Sequence, residues 1–100
     1  MSKQFSYWET MVEDIEEKKK VGEVTHYFTN INVGVIELND KLQVGDTISI
    51  EGETTNFQQE IGSMQIEHDD VESADSGELV GLKVKDRVRE VDIVYKIVNQ

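Results

Sequence analysis

The chain has no cysteine and no proline among its 100 residues. The first absence excludes disulfides, thiol nucleophiles and thiolate metal sites together, and leaves stability to packing and backbone hydrogen bonds. The second means that every turn must be made with Gly, Asn, Asp or Ser, and these stand at Asn39-Asp40, Gly45-Asp46, Gly52 and Ser76-Gly77. Long apolar runs are also missing. Nothing approaches the ~18 residues of a membrane span, and Met1-Ser2-Lys3-Gln4-Phe5 offers neither the apolar core nor the cleavage site of a secretory signal. A cytoplasmic protein without membrane contact is expected. Cations are scarce, with 10 Lys and Arg against 21 Asp and Glu and a formal net charge of −11. That balance disfavours general RNA binding, which depends on Lys and Arg displacing counterions from phosphates. It fits simple solubility, or docking on a basic partner.

What is present, 37% hydrophobic and 7% aromatic residues, suits one compact domain with one modest core. Two regions separate near Lys20. Over residues 1–19, Phe5, Trp8, Val12 and Ile15 recur at helical spacing. Ser6 and Glu9 have the pattern of a capping box, and Lys18-Lys19-Lys20 would suit a helix C-terminus. So short a helix is marginal alone, and the segment either docks or stays a loose tail. Phe5 and Trp8 are a candidate partner-docking face, with packing on the protein's own domain as the alternative.

Residues 20–100 change to strand periodicity, with short apolar runs between turn residues. Val21 to Thr29 and Val33 to Leu38 should form a hairpin around Asn30-Ile31-Asn32. Thr47-Ile48-Ser49-Ile50-Glu51 alternates, with Ile48 and Ile50 on one face. In the next strand Phe57 and Ile61 are odd while Met64 and Ile66 are even, so a bulge or bend is predicted near Gly62-Ser63. Val80 to Val84 and Ile93 to Ile97 complete about six strands. The fold class predicted is all-β, a small six-stranded antiparallel Greek-key barrel with an N-terminal extension.

The order Leu42-Gln43-Val44-Gly45-Asp46-Thr47-Ile48, Ser63-Met64-Gln65, Gly77, Val80-Gly81-Leu82, Asp92-Ile93-Val94-Tyr95 resembles the second domain of elongation factor Tu. It is closer still to the small translation elongation factor-like proteins and to the barrel appended to collagenase-like peptidase-family proteins. The resemblance runs from about Val21 to Val98. Gly45 would permit a tight reversal, and Gly81 a close approach inside a narrow barrel. One departure is Val91, where relatives tend to carry Gly before the Asp that opens the last strand. A β-branched residue is costly at positive φ, so a different turn is expected there. The resemblance implies a contact platform for RNA or neighbouring domains. It implies no GTP hydrolysis, and the phosphate-loop pattern Gly-x-x-x-x-Gly-Lys-Ser/Thr is absent.

Candidate sites are few. Lys83, Lys85, Arg87 and Arg89 alternate near the C-terminus of an acidic chain. They could contact a phosphate backbone locally. Because the resemblance places Asp86 to Val91 in a connecting loop, they could instead balance Asp86, Glu90 and Asp92. His26 and His68 could meet around a divalent ion, but a strand residue and a loop residue are the simpler expectation. Ser63, His68 and Asp69 make a triad only on paper, since triads are defined by geometry. The stretch from Glu67 to Glu78 lacks calcium-loop spacing and reads as a solvated loop. The expectation is a non-catalytic binding module with no cofactor, metal or nucleotide. Its partner would be a protein or ribonucleoprotein in translation or RNA modification. The alternatives are an acidic adaptor between proteins and an accessory barrel subunit of a separate collagenase-like enzyme.

Overall fold

The computed structural model describes residues 17–98. Among them the chain forms no helix and ten strands: β1 (Glu17–Phe28), β2 (Val33–Leu38), β3 (Leu42–Gln43), β4 (Thr47–Glu51), β5 (Asn56–Glu60), β6 (Met64–Ile66), β7 (Asp69–Val71), β8 (Ser73–Ala74), β9 (Leu79–Lys83) and β10 (Ile93–Val98). Eight of them make one antiparallel sheet, ordered β5-β4-β10-β1-β2-β9-β6-β7, and β3 pairs with β8. No helix among the described residues is long and apolar enough to cross a membrane.

The expected hairpin is β1 and β2, with Phe28 opposite Val33. Its turn uses Asn32 at φ 56, a left-handed conformation that asparagine tolerates better than most residues. β1 carries two register shifts, between Lys20 and Gly22 and between Val24 and His26. The first leaves Val21 as an extra residue and rephases the strand. Val21 and Val24, of opposite parity, are therefore both buried. With Ile36, Ile48, Ile50, Val80 and Leu82 they form a single core. The alternation of β4 places Ser49 on the solvent face, yet it is buried. It sits between its register partners Tyr95 and Gln58 and donates its hydroxyl to Glu51 at 2.8 Å.

The predicted interruption falls where the phase breaks. β5 ends at Glu60 and β6 starts at Met64, and both Ile61 and Met64 are buried. In those few residues the chain passes from one end of the sheet to β9 near the other. Gly45 has φ 97, which suits the tight reversal ahead of β4. Gly45 also donates its N–H to the Ile61 carbonyl at 3.0 Å.

Three expectations need correction. The six long strands are present, but the sheet is not closed into a barrel, because β5 and β7 are its two ends. The residues from Met64 onward add β6 and β7 beyond β9, and the gap between β5 and β9 is spanned by a side chain. Gln59 Nε2 donates to the Lys83 carbonyl at 2.8 Å, and Gln59 Oε1 accepts the Lys85 N–H at 2.8 Å. Second, the acidic stretch after Ile66 is not an irregular loop, since it contains β7 and β8. Edge strands tolerate charged side chains, so apolar alternation is weak there. Third, Lys18, Lys19 and Lys20 lie in β1. Lys18 pairs with Glu51 at 2.6 Å and Lys19 with Asp40 at 2.8 Å, so strand pairing organises these cations. The remainder of the predicted N-terminal helix, residues 1–16, lies outside the described residues.

Candidate functional site

The four candidate cations divide between two settings. Lys83 ends β9, whereas Lys85, Arg87 and Arg89 occupy the irregular segment that leads to β10. Within that segment Val84, Val88 and Asp92 turn inward, and the cations point to solvent. The ion pairs within 4.0 Å among the described residues are Lys18–Glu51, Lys19–Asp40 and Lys96–Asp46, and His26 Nδ1 lies 3.8 Å from a Glu90 carboxylate oxygen. None of them takes one of the four. The expected neutralisation by Asp92 does not occur, because Asp92 is only 3% exposed and its carboxylate accepts the Arg89 backbone N–H at 2.8 Å.

That hydrogen bond belongs to a tight turn. The Asp92 N–H donates to the Arg89 carbonyl at 3.1 Å, the Val91 N–H to the Val24 carbonyl at 2.8 Å and the Val24 N–H to the Asp92 carbonyl at 2.8 Å. These bonds fix the turn against the second register shift of β1. Val91 has φ 68, so the left-handed conformation is kept although the residue is β-branched. Its sequence predicts another form of turn, but the backbone bonds on either side impose this one. Gly52 lies under the Asp92 carboxylate, and a Cβ there would come within 1.9 Å of Asp92 Oδ1. Only glycine fits without displacing Asp92. Arg87, Arg89, His26, Tyr27 and Glu90 line the cleft beside the turn, a concavity of about 490 Å³. Arginine and carboxylate both face it, so it has no single sign of charge.

A second concavity, about 570 Å³, lies among Phe28, Ile31, Val33, Val35, Ile66 and Leu79. Phe28, Ile31 and Leu79 are 46%, 53% and 55% exposed. Gly81 also lines it. Val80 and Leu82 face the core, so Gly81 points outward, not into the narrow interior that the resemblance suggested. A Cβ at Gly81 would approach Val33 Cγ1 at 3.3 Å, and its absence leaves the groove floor open. Sequence reasoning misses these residues. The available signal was β2, where Val33 and Val35 are apolar on the face opposite Ile36 and Leu38.

The histidines do not meet around an ion. His26 lines the first cleft, with its ring 4.4 Å from that of Phe28, and His68 lines the second groove. No cluster of three or more His, Asp or Glu suited to a metal occurs among the described residues. His68 and Glu67, at φ 72 and 51, form the two-residue turn between β6 and β7. That turn accounts for their place beside Asp69 without any triad. Phe5 and Trp8 lie outside the described residues.

The Lys18–Glu51 bridge shifts both of its partners. Hydrogen bonds from Lys18 and then Ser49 hold the Glu51 carboxyl below its ordinary value, and the bond to Glu51 raises Lys18. Asp40 is lowered by Lys19 and by the Lys41 backbone N–H.

No protein-family model matches the chain. It is 47% identical over 79 residues to an uncharacterized protease of Methanocaldococcus jannaschii, a match that covers 78% of this chain and 19% of the relative. It is 33% identical over 82 residues to a collagenase of Porphyromonas gingivalis, covering 80% of this chain and 23% of that protein. Its structure superposes on the crystal structure of the C-terminal domain of a protein described as a U32 peptidase of Geobacillus thermoleovorans. The TM-score is 0.74 at 22% identity, with 78% of this chain and 91% of that chain covered. A selenomethionine variant of the same domain gives a TM-score of 0.73. The chain thus has the fold of that C-terminal domain, and it spans about a fifth of the length of the curated relatives it matches.

Proposed function

We propose that this protein is a non-catalytic accessory domain that works with the remaining body of a collagenase-like enzyme. The observation that carries this reading is the matched segment, which makes up 19% of one relative and 23% of another and has the fold of a domain solved separately in a third protein. In this reading the peptide chemistry belongs to the body, and the chain supplies stability, orientation or substrate contact. The test mixes the purified chain with the Methanocaldococcus jannaschii relative lacking its 79 matched residues, once that body shows a cooperative melt. A stable 1:1 complex in light scattering is expected. Failure to co-elute overturns the reading.

A second reading is contact with RNA or a ribonucleoprotein through Lys83, Lys85, Arg87 and Arg89, as the sequence resemblance to translation factors would imply. It is favoured by the lack of any ion pair at these cations among the described residues. Here tRNA at low salt should shift the amides of Lys83 to Arg89, and the shifts should fade as salt rises. Unmoved amides sink it.

A further inference from the structure

The apolar groove has the character of a surface built to be covered. Monomeric proteins commonly expose single apolar side chains, but here Phe28, Ile31 and Leu79 are about half exposed together around a shared concavity. Val33, Val35 and Ile66 extend the lining inward. Gly81 deepens it, in a row where any side chain would fill the floor. Contiguous apolar patches with a polar rim mark protein contacts.

The rim decides what covers it. Its charged side chains are Glu67 and Glu78, with His68 beside them, and no Lys or Arg is among the described residues that line it. A second copy would bring the same acidic rim and a net charge of −11. The chain's own residues 1–16 carry Glu9, Glu13, Asp14 and Glu16 against Lys3, a charge of the same sign as the rim. We infer that the groove between β2, β9 and β6 docks an apolar ridge flanked by Lys or Arg on the body of a collagenase-like enzyme. This inference rests on the accessory-domain reading. Burial of the groove supplies affinity, while the acidic rim fixes orientation and rejects self-association.

The experiment uses the same body and compares three forms of the chain. Ile31→Lys/Leu79→Lys places cations in the groove. Thr54→Lys/Asn39→Lys makes the same charge change at exposed positions elsewhere. Ile31 and Leu79 are more than half exposed, so the groove variant should keep a wild-type melt. It should bind the body at least about tenfold more weakly, while the control binds within about twofold of wild type. In a separate Leu79→Cys variant, the new thiol stands in a chain with no cysteine of its own and should lose maleimide reactivity in the complex. If wild type binds and the groove variant binds equally, or if the control loses as much, the groove assignment is overturned and the accessory reading stands. If wild type does not bind, both fall. If the thiol of Leu79→Cys stays fully reactive in a stable complex, the partner docks elsewhere and the groove assignment is again overturned.

Discussion

At the scale of single residues, the turn before β10 shows how neighbours can override a residue's own preference. Val91 is held at φ 68 by backbone bonds on both sides, and its side chain is 71% exposed, so it offers little burial in return. A non-glycine residue in this region costs about 1–3 kcal/mol, and glycine adds about 0.4–1 kcal/mol of unfolded-state entropy. Val91→Gly should therefore stabilise the protein by about 1 kcal/mol, read as a higher urea midpoint at unchanged slope. A lower midpoint would mean that the Val91 side chain makes a contact worth more than the strain. The sequence marked this position only through its resemblance to translation factors, which implies Gly there. It could not reveal that Asp92 is buried on Gly52 and bonded to Arg89. Asp92 looks like one more surface acid in a chain with 21 acids, and only the packing of the β4–β5 turn beneath it gives it a separate role.

Among the strands, the long ones were legible and the short ones were not. β1, β2, β4, β9 and β10 carry apolar residues at strand spacing, and the parity change between Ile61 and Met64 located the break between β5 and β6. β7 and β8 are Asp69–Val71 and Ser73–Ala74, too short for any period to show, and β7 is mostly acidic besides. Lys18 reads in sequence as part of a helix end because a run of lysines carries no information about its partners. Its partner Glu51 is 33 residues away, reached across β10. This bridge has a definite pH signature. Glu51 is depressed, so its contribution is present above the ordinary glutamate pKa of about 4.3 and is lost as pH falls through its folded value. Lys18 is raised, so its contribution is present below about 10.4 and is lost as pH rises through its folded value. The stability difference between wild type and Lys18→Met should be widest between those limits and shrink beyond both. Both side chains are partly solvated, which keeps the effect modest. A difference that is flat from acid to alkali would show that the pair contributes nothing.

For the molecule as a whole, the candidate site was less legible than the fold, for a physical reason. Strand patterns report burial against the protein's own core, whereas a groove is a property of neighbouring strands whose register the sequence does not state. Phe28, Ile31 and Leu79 come together only because β1, β2 and β9 lie side by side. The cations at Lys83 to Arg89 stood out because they oppose the overall charge, and the structure leaves them facing solvent. The same region also holds the seam of the sheet, bridged by the amide of Gln59. Gln59→Ala removes two hydrogen bonds and should cost about 1–2 kcal/mol, measured by chemical denaturation. The seam has a kinetic consequence as well. The Lys85 amide is tied to a side chain and not to a ladder, so a rotation of one glutamine frees it while every strand pair stays intact. Its hydrogen-exchange rate is therefore a gauge of breathing at the seam, separable from global unfolding. A partner that clamps β5 against the segment from Lys83 to Lys85 would slow that one amide before it changed the melting temperature.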